Sequence, residues 1–95
     1  MNEIKSFNID EVKDFYGKRY RKIIDGLSRF GATDYEVDTS CGIWLELWCS
    51  IRGKHIKVNI GIDDMYHLWV FEESPCSSRY KTQDELVYEL WRRFA

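Results

Sequence analysis

The sequence predicts an α+β fold. It reads as a four-stranded antiparallel β-meander flanked by an N-terminal and a C-terminal helix, in the order α-β-β-β-β-α, packed as a two-layer sandwich. Three observations carry this. Apolar residues recur at three- and four-residue spacing near both ends of the chain. Between them, four runs alternate apolar and polar residues with the period of a strand. The breaks between those runs are short, so neighbouring strands pair antiparallel.

The first helix is expected after a loose lead-in over residues 1–7. Asn8 serves as N-cap, and Glu11 completes a capping box. Val12, Tyr16, Tyr20, Ile23, Leu27 and Phe30 form one stripe, widened by Phe15 and Ile24. Gly31 is placed to end the helix as its C′ residue. Gly17 and Gly26 oppose a continuous helix, since each costs about 1 kcal/mol against Ala. They mark either a close approach to the sheet or a break.

The strands follow in order. Tyr35 to Cys41 alternates Tyr35, Val37 and Thr39 with Glu36 and Asp38. Gly42 to Arg52 alternates Ile43, Leu45, Leu47, Cys49 and Ile51 with Trp44, Glu46, Trp48, Ser50 and Arg52. Arg52-Gly53-Lys54 makes a tight turn. Lys54 to Ile62 points Ile56, Val58, Ile60 and Ile62 one way and His55, Lys57 and Asn59 the other. Asp63-Asp64 marks the next turn. His67 to Phe71 sets Leu68 and Val70 against Trp69 and Phe71. Glu72 to Lys81 reads as a loop broken by Pro75. Thr82 then caps the last helix with Glu85 as its partner, and Leu86, Leu90 and Phe94 line one stripe, joined by Val87 and Trp91. The helix–strands–helix order is similar to that of the double-stranded-RNA-binding domain. The last helix begins Lys81-Thr82-Gln83-Asp84-Glu85 rather than with that family's lysine-rich phosphate clamp, so the chain is not assigned to it.

Composition bounds the function. Residues 1–95 are the length of one domain with one modest core. Aromatic residues make up 16% of the chain, which lets a short sequence bury large areas. The net charge of -2 is not the footprint of a general nucleic-acid binder. Three cysteines, no signal-like n-region and no long apolar run point to a cytoplasmic setting. Cys41 and Cys49, if held on one strand, stand roughly 26 Å apart and cannot pair.

The functional signal is the second face of the sheet. A strand with one wet face should be polar on alternate positions, yet those positions hold Trp44, Trp48, Trp69 and Phe71, with Glu46, His55 and Lys57 among them. Such a face needs a cover: a helix or the lead-in with Ile4 and Phe7, a second copy of the chain, or an external partner. The expected function is a small non-enzymatic protein-binding domain. In size and style it matches phage- or mobile-element-type inhibitors of a host or defence factor, which act by surface occlusion. Trp44, Trp48, Trp69 and Phe71 are its anchors, and Glu46, His55 and Lys57 its orienting groups. The alternative is a nucleic-acid module that stacks bases on the aromatic face and contacts phosphates through Lys18, Arg19, Arg21 and Lys22.

No cofactor, metal or catalytic residue is expected. Cys41, Cys49, Cys76, His55 and His67 show no metal-ligand spacing, although antiparallel pairing about Ile60–Asp63 could bring the two histidines together. An enzyme class would rest on Cys76 alone, with Arg79 to stabilise its thiolate. The neighbouring carboxylates Asp63-Asp64 and Glu72-Glu73 diverge in an extended chain and do not form a catalytic pair.

Overall fold

The structure is a computed structural model that describes residues 3–42 and 44–95. Ile43, expected in a strand, lies outside the described residues, as do Met1 and Asn2 of the lead-in. The fold is α+β. Its strands are β1 (Ile4–Phe7), β2 (Thr33–Asp38), β3 (Glu46–Ile51), β4 (Lys54–Ile60), β5 (Tyr66–Val70) and β6 (Ser78–Tyr80). Its helices are α1 (Ile9–Tyr16), α2 (Arg21–Arg29) and α3 (Gln83–Phe94). All strand pairs are antiparallel, and the spatial order β1-β2-β3-β4-β5-β6 is the chain order.

Among the described residues the sheet therefore has six strands rather than the expected four. The lead-in supplies β1, which pairs Ile4 with Asp38 and Phe7 with Tyr35. The presumed loop after Phe71 contains β6, which pairs Tyr80 with Tyr66. Two expected strands are shorter than their alternation suggests. After Asp38 the chain turns into a short 3-10 segment, Thr39–Cys41, capped by the Asp38 carboxylate, which accepts from the Ser40 amide. Beyond Ile60 the Gly61 amide bonds to the Met65 carbonyl and closes a turn. Ile62, expected in the core, sits in that turn fully exposed.

The long first helix is two helices. Asn8 and Glu11 form the expected capping box on α1. Gly17, at φ 62, ends it in a conformation that other residues rarely adopt. The intervening turn keeps Tyr16 and Tyr20 on the side of Ile23, Ile24 and Leu27, so the apolar stripe survives the break. α2 ends in a Schellman motif: the Gly31 amide bonds to the Ser28 carbonyl and the Ala32 amide to that of Leu27. Gly26 marks a close approach to α3 rather than to the sheet. A Cβ there would stand 3.1 Å and 3.3 Å from the two Val87 methyls.

One core joins the layers. Tyr35, Val37, Leu47, Cys49, Ile51, Ile56, Val58, Leu68 and Val70 from one sheet face are buried with Val12, Ile23, Leu27, Leu86, Leu90 and Phe94 from the helices. All three helices thus cover the same face. Among the described residues no helix lies over the other face.

Candidate functional site on the open sheet face

Strand register arranges the open face in rows. One row runs Ser6, Glu36, Trp48, Lys57, Trp69 across β1 to β5. The next runs Glu46, Asn59, His67, Arg79 across β3 to β6. The β3–β4 hairpin, closed by Arg52 and Gly53 at positive φ, aligns Ser50 with His55. The Phe71 amide bonds to the His55 carbonyl, bringing Phe71 to the same end.

Lys57 is the centre of this face. Its Nζ lies 5.2 Å from the Trp48 ring centroid and 4.8 Å from that of Trp69. The Glu46 carboxylate meets it at 2.9 Å, with both side chains about four-fifths buried (22% and 19% exposed). A cation between two indoles is attracted by both ring faces. Asn59 donates to the same carboxylate at 3.4 Å. Its own amide oxygen is buried without a partner. The stack continues sideways, because the His67 ring lies on Trp69 at 5.7 Å and 25°. His67 is fixed in turn by Asp63 and by Ser77, and Arg79 also reaches Asp63 at 3.6 Å.

Beside this stack the face is concave. A groove of about 650 Å³ is lined by Ile4, Asp34, Glu36, Trp48, His55 and Phe71. His55 is tied to Glu72 through both its backbone amide and its ring. That contact holds the Glu72 carboxyl below its usual range.

The structure gathers six of the seven expected partner-binding residues on this face: Trp48, Trp69, Phe71, Glu46, His55 and Lys57. Trp44 is the exception. It stands in the bend before β3, 55% exposed, and lines neither the groove nor the stack. Sequence reading named Ile4 only as part of a possible cover, and it missed Asp34 and the groove position of Glu36. The alternation of Glu36 with Val37 placed it on this face, but only the pairing with Trp48 shows its neighbour.

The other candidates separate. His67 pairs with Asn59, four residues along β4 from His55, which puts the two histidines about 13 Å apart along the strand. Among the described residues no group of three or more His, Cys, Asp or Glu side chains could hold a metal ion. Cys49 is buried in the core and Cys76 is exposed, and Arg79 turns to Asp63 rather than to Cys76. Cys41 belongs to the 3-10 segment and not to the strand of Cys49. Glu72 binds His55 while Glu73 binds Lys54 and Arg93, so the adjacent carboxylates do diverge.

The basic run does not form one surface. Lys18 and Arg19 lie in the turn between α1 and α2. The Arg21 guanidinium donates to the Gly17 carbonyl, and Lys22 pairs with Asp84 at 3.1 Å. All four belong to the helix layer, on the side of the sheet away from Trp48 and Trp69. Among the described residues no helix is long and apolar enough to cross a membrane. No protein-family model, curated protein or solved structure matches this chain.

Proposed function

We propose that this protein is a non-enzymatic protein-binding domain that acts by occupying a partner's surface through its open sheet face. The observation that supports this reading most is the asymmetry of the sheet. Among the described residues three helices cover one face and none covers the other, where Trp48 and Phe71 line a groove and Trp69 stacks beside it on Lys57. Half-buried aromatic side chains held in place by their neighbours are suited to act as anchors, because they lose little freedom on binding. Trp48 and Trp69 are held by Lys57, and Lys57 by Glu46. Trp44 drops out of the anchor set, since it stands off this face.

The nucleic-acid reading is weaker. A strand stacked on the aromatic face would meet Asp34, Glu36 and Glu72, while Lys18 and Arg19 lie in the opposite layer. Oligonucleotide binding at low salt would restore it.

The test is a selection of short random peptides displayed on yeast against the immobilised domain, beside a native mass measurement. Enrichment that disappears with Trp48→Ala and with Phe71→Ala, both variants keeping the native circular dichroism, supports the reading. Lack of enrichment, or enrichment indifferent to both substitutions, overturns it. A dimer dissociated by Trp48→Ala would assign the face to a second copy instead.

A further inference from the structure

The groove has a charge pattern that its aromatic walls do not explain. Glu36 stands beside Trp48 in the sheet register. Asp34 joins it through a β-bulge: Thr33 pairs with Ser50 and Glu36 with Trp48, so β2 takes three steps where β3 takes two. Asp34 has φ 56, a left-handed conformation that Asp tolerates better than most residues. Bulges of this kind re-aim side chains beside binding sites. Here the bulge sets a second carboxylate into the groove wall.

Neither Asp34 nor Glu36 has an ion-pair partner among the described residues, and no lysine or arginine lines the groove. The other carboxylates bordering this face have polar partners: Glu46 pairs with Lys57, Asp63 with Arg79, Glu72 is hydrogen-bonded to His55 and Asp38 to Ser40. The face also shows how it receives a cation. Lys57 sits against Trp48 on its β4 side and is closed off by Glu46. On its β2 side the same tryptophan has a carboxylate beside it and no cation.

We infer that the groove receives an arginine side chain from a basic partner segment, stacked against Trp48 and Phe71 and neutralised by Glu36 and Asp34. This rests on the protein-binding reading above and adds the chemistry of the partner. Arginine fits better than lysine, because its planar guanidinium stacks on aromatic rings and pairs with two carboxylates at once. An acidic segment is disfavoured, since it would place like charges together in a partly desolvated groove.

The selected peptides provide the probe. They should contain arginine, and their binding should weaken as salt rises. Replacing that arginine by glutamine, or combining Glu36→Gln with Asp34→Asn in the domain, should weaken binding at least about tenfold through loss of charged hydrogen bonds. Glu36→Gln keeps the shape of an exposed side chain, and Asn tolerates the backbone of Asp34, so both variants should fold. Trp44→Ala should leave the affinity unchanged. Peptides that depend on Trp48 but lack arginine, or that bind the carboxyl-neutralised domain equally well, overturn this inference and leave the protein-binding reading standing. Failure to enrich any peptide removes both.

Discussion

The Tyr16 hydroxyl grips Glu46 by both of its backbone groups, donating to the carbonyl and accepting from the amide at 3.3 Å each. Tyr16 closes α1 in the helix layer. The side chain of Glu46 emerges on the opposite face, where it holds Lys57. One residue at the start of β3 thus joins the helices to the aromatic stack.

Removing that hydroxyl should be felt on both sides. Tyr16→Phe leaves the Glu46 amide and carbonyl without their partner and should cost about 1–2 kcal/mol in urea unfolding. The emission of Trp48 and Trp69 should shift as well, because Glu46 is then less firmly placed against Lys57. A stability loss with unchanged tryptophan emission would show that the two layers are not linked through this residue.

The Lys57–Glu46 pair should behave as a partly buried ion pair. Lys57→Met keeps an unbranched stem between the indoles but leaves Glu46 uncompensated. A double-mutant cycle with Glu46→Gln should give a coupling of about 1 kcal/mol or more, above that of an exposed pair. A coupling near zero would mean that the lysine serves only as packing.

Gly26 should resist substitution despite its place in a helix. Alanine would gain about 1 kcal/mol in helix propensity. Its Cβ would press on both Val87 methyls, and a β-branched side chain has few rotamers to yield with. Gly26→Ala should therefore destabilise the protein, and adding Val87→Ala should return part of the loss. Thermal unfolding of the two variants compares them directly.

Trp44 and Trp48, equivalent by strand alternation, should differ in stability. Trp44→Ala should fall within about 0.5 kcal/mol of the parent, as expected for an exposed site. Trp48→Ala removes a ring that packs on Lys57 and should cost more than that while leaving the core intact. Equal losses in guanidinium unfolding would contradict the separate placements.

Alkaline pH should unfold the protein before mild acid does. Burial pushes the Tyr16 and Tyr35 hydroxyls from 10.0 up to about 12, and the Cys49 thiol from 9.0 up to about 12. Their contribution to stability is whole below about pH 9, where folded and unfolded chains are both protonated. It shrinks as the unfolded chain releases protons and is lost as pH rises through about 12. Denaturant midpoints measured along that range should fall steadily, and Cys49→Ala should flatten the first part of the decline.

The elements legible in the sequence were those whose residues face one core. Ile56 and Val58 alternate cleanly because β4 lies mid-sheet with one dry face, and that parity correctly put Lys57 and Trp69 together. The edge strands had no such pattern. β1 has its apolar ends on opposite faces, Ile4 on the open side and Phe7 against the core, and its partner lies across two helices. β6 is too short to show a period. Trp44 kept the alternation of a strand that had not yet begun and Ile62 that of one that had already ended, because a turn's hydrogen bonds bound a strand without changing the residue types around it. The aromatic stack was readable from parity. The groove was not, since it depends on the bulge at Asp34 and on β1.

Sheet order and chain order coincide, and this bears on how the molecule assembles. The β3–β4 pair needs only the two-residue link Arg52-Gly53, and β5 and β6 add to it through short connections. Each such step closes a small loop, and loop closure is the main entropic barrier to sheet formation. Only β1 must reach its neighbour across a long insertion, the α1–α2 pair. The wall of the groove that Ile4 supplies is therefore expected to form last, after the stack around Lys57 and after β2 has brought Asp34 and Glu36 beside Trp48.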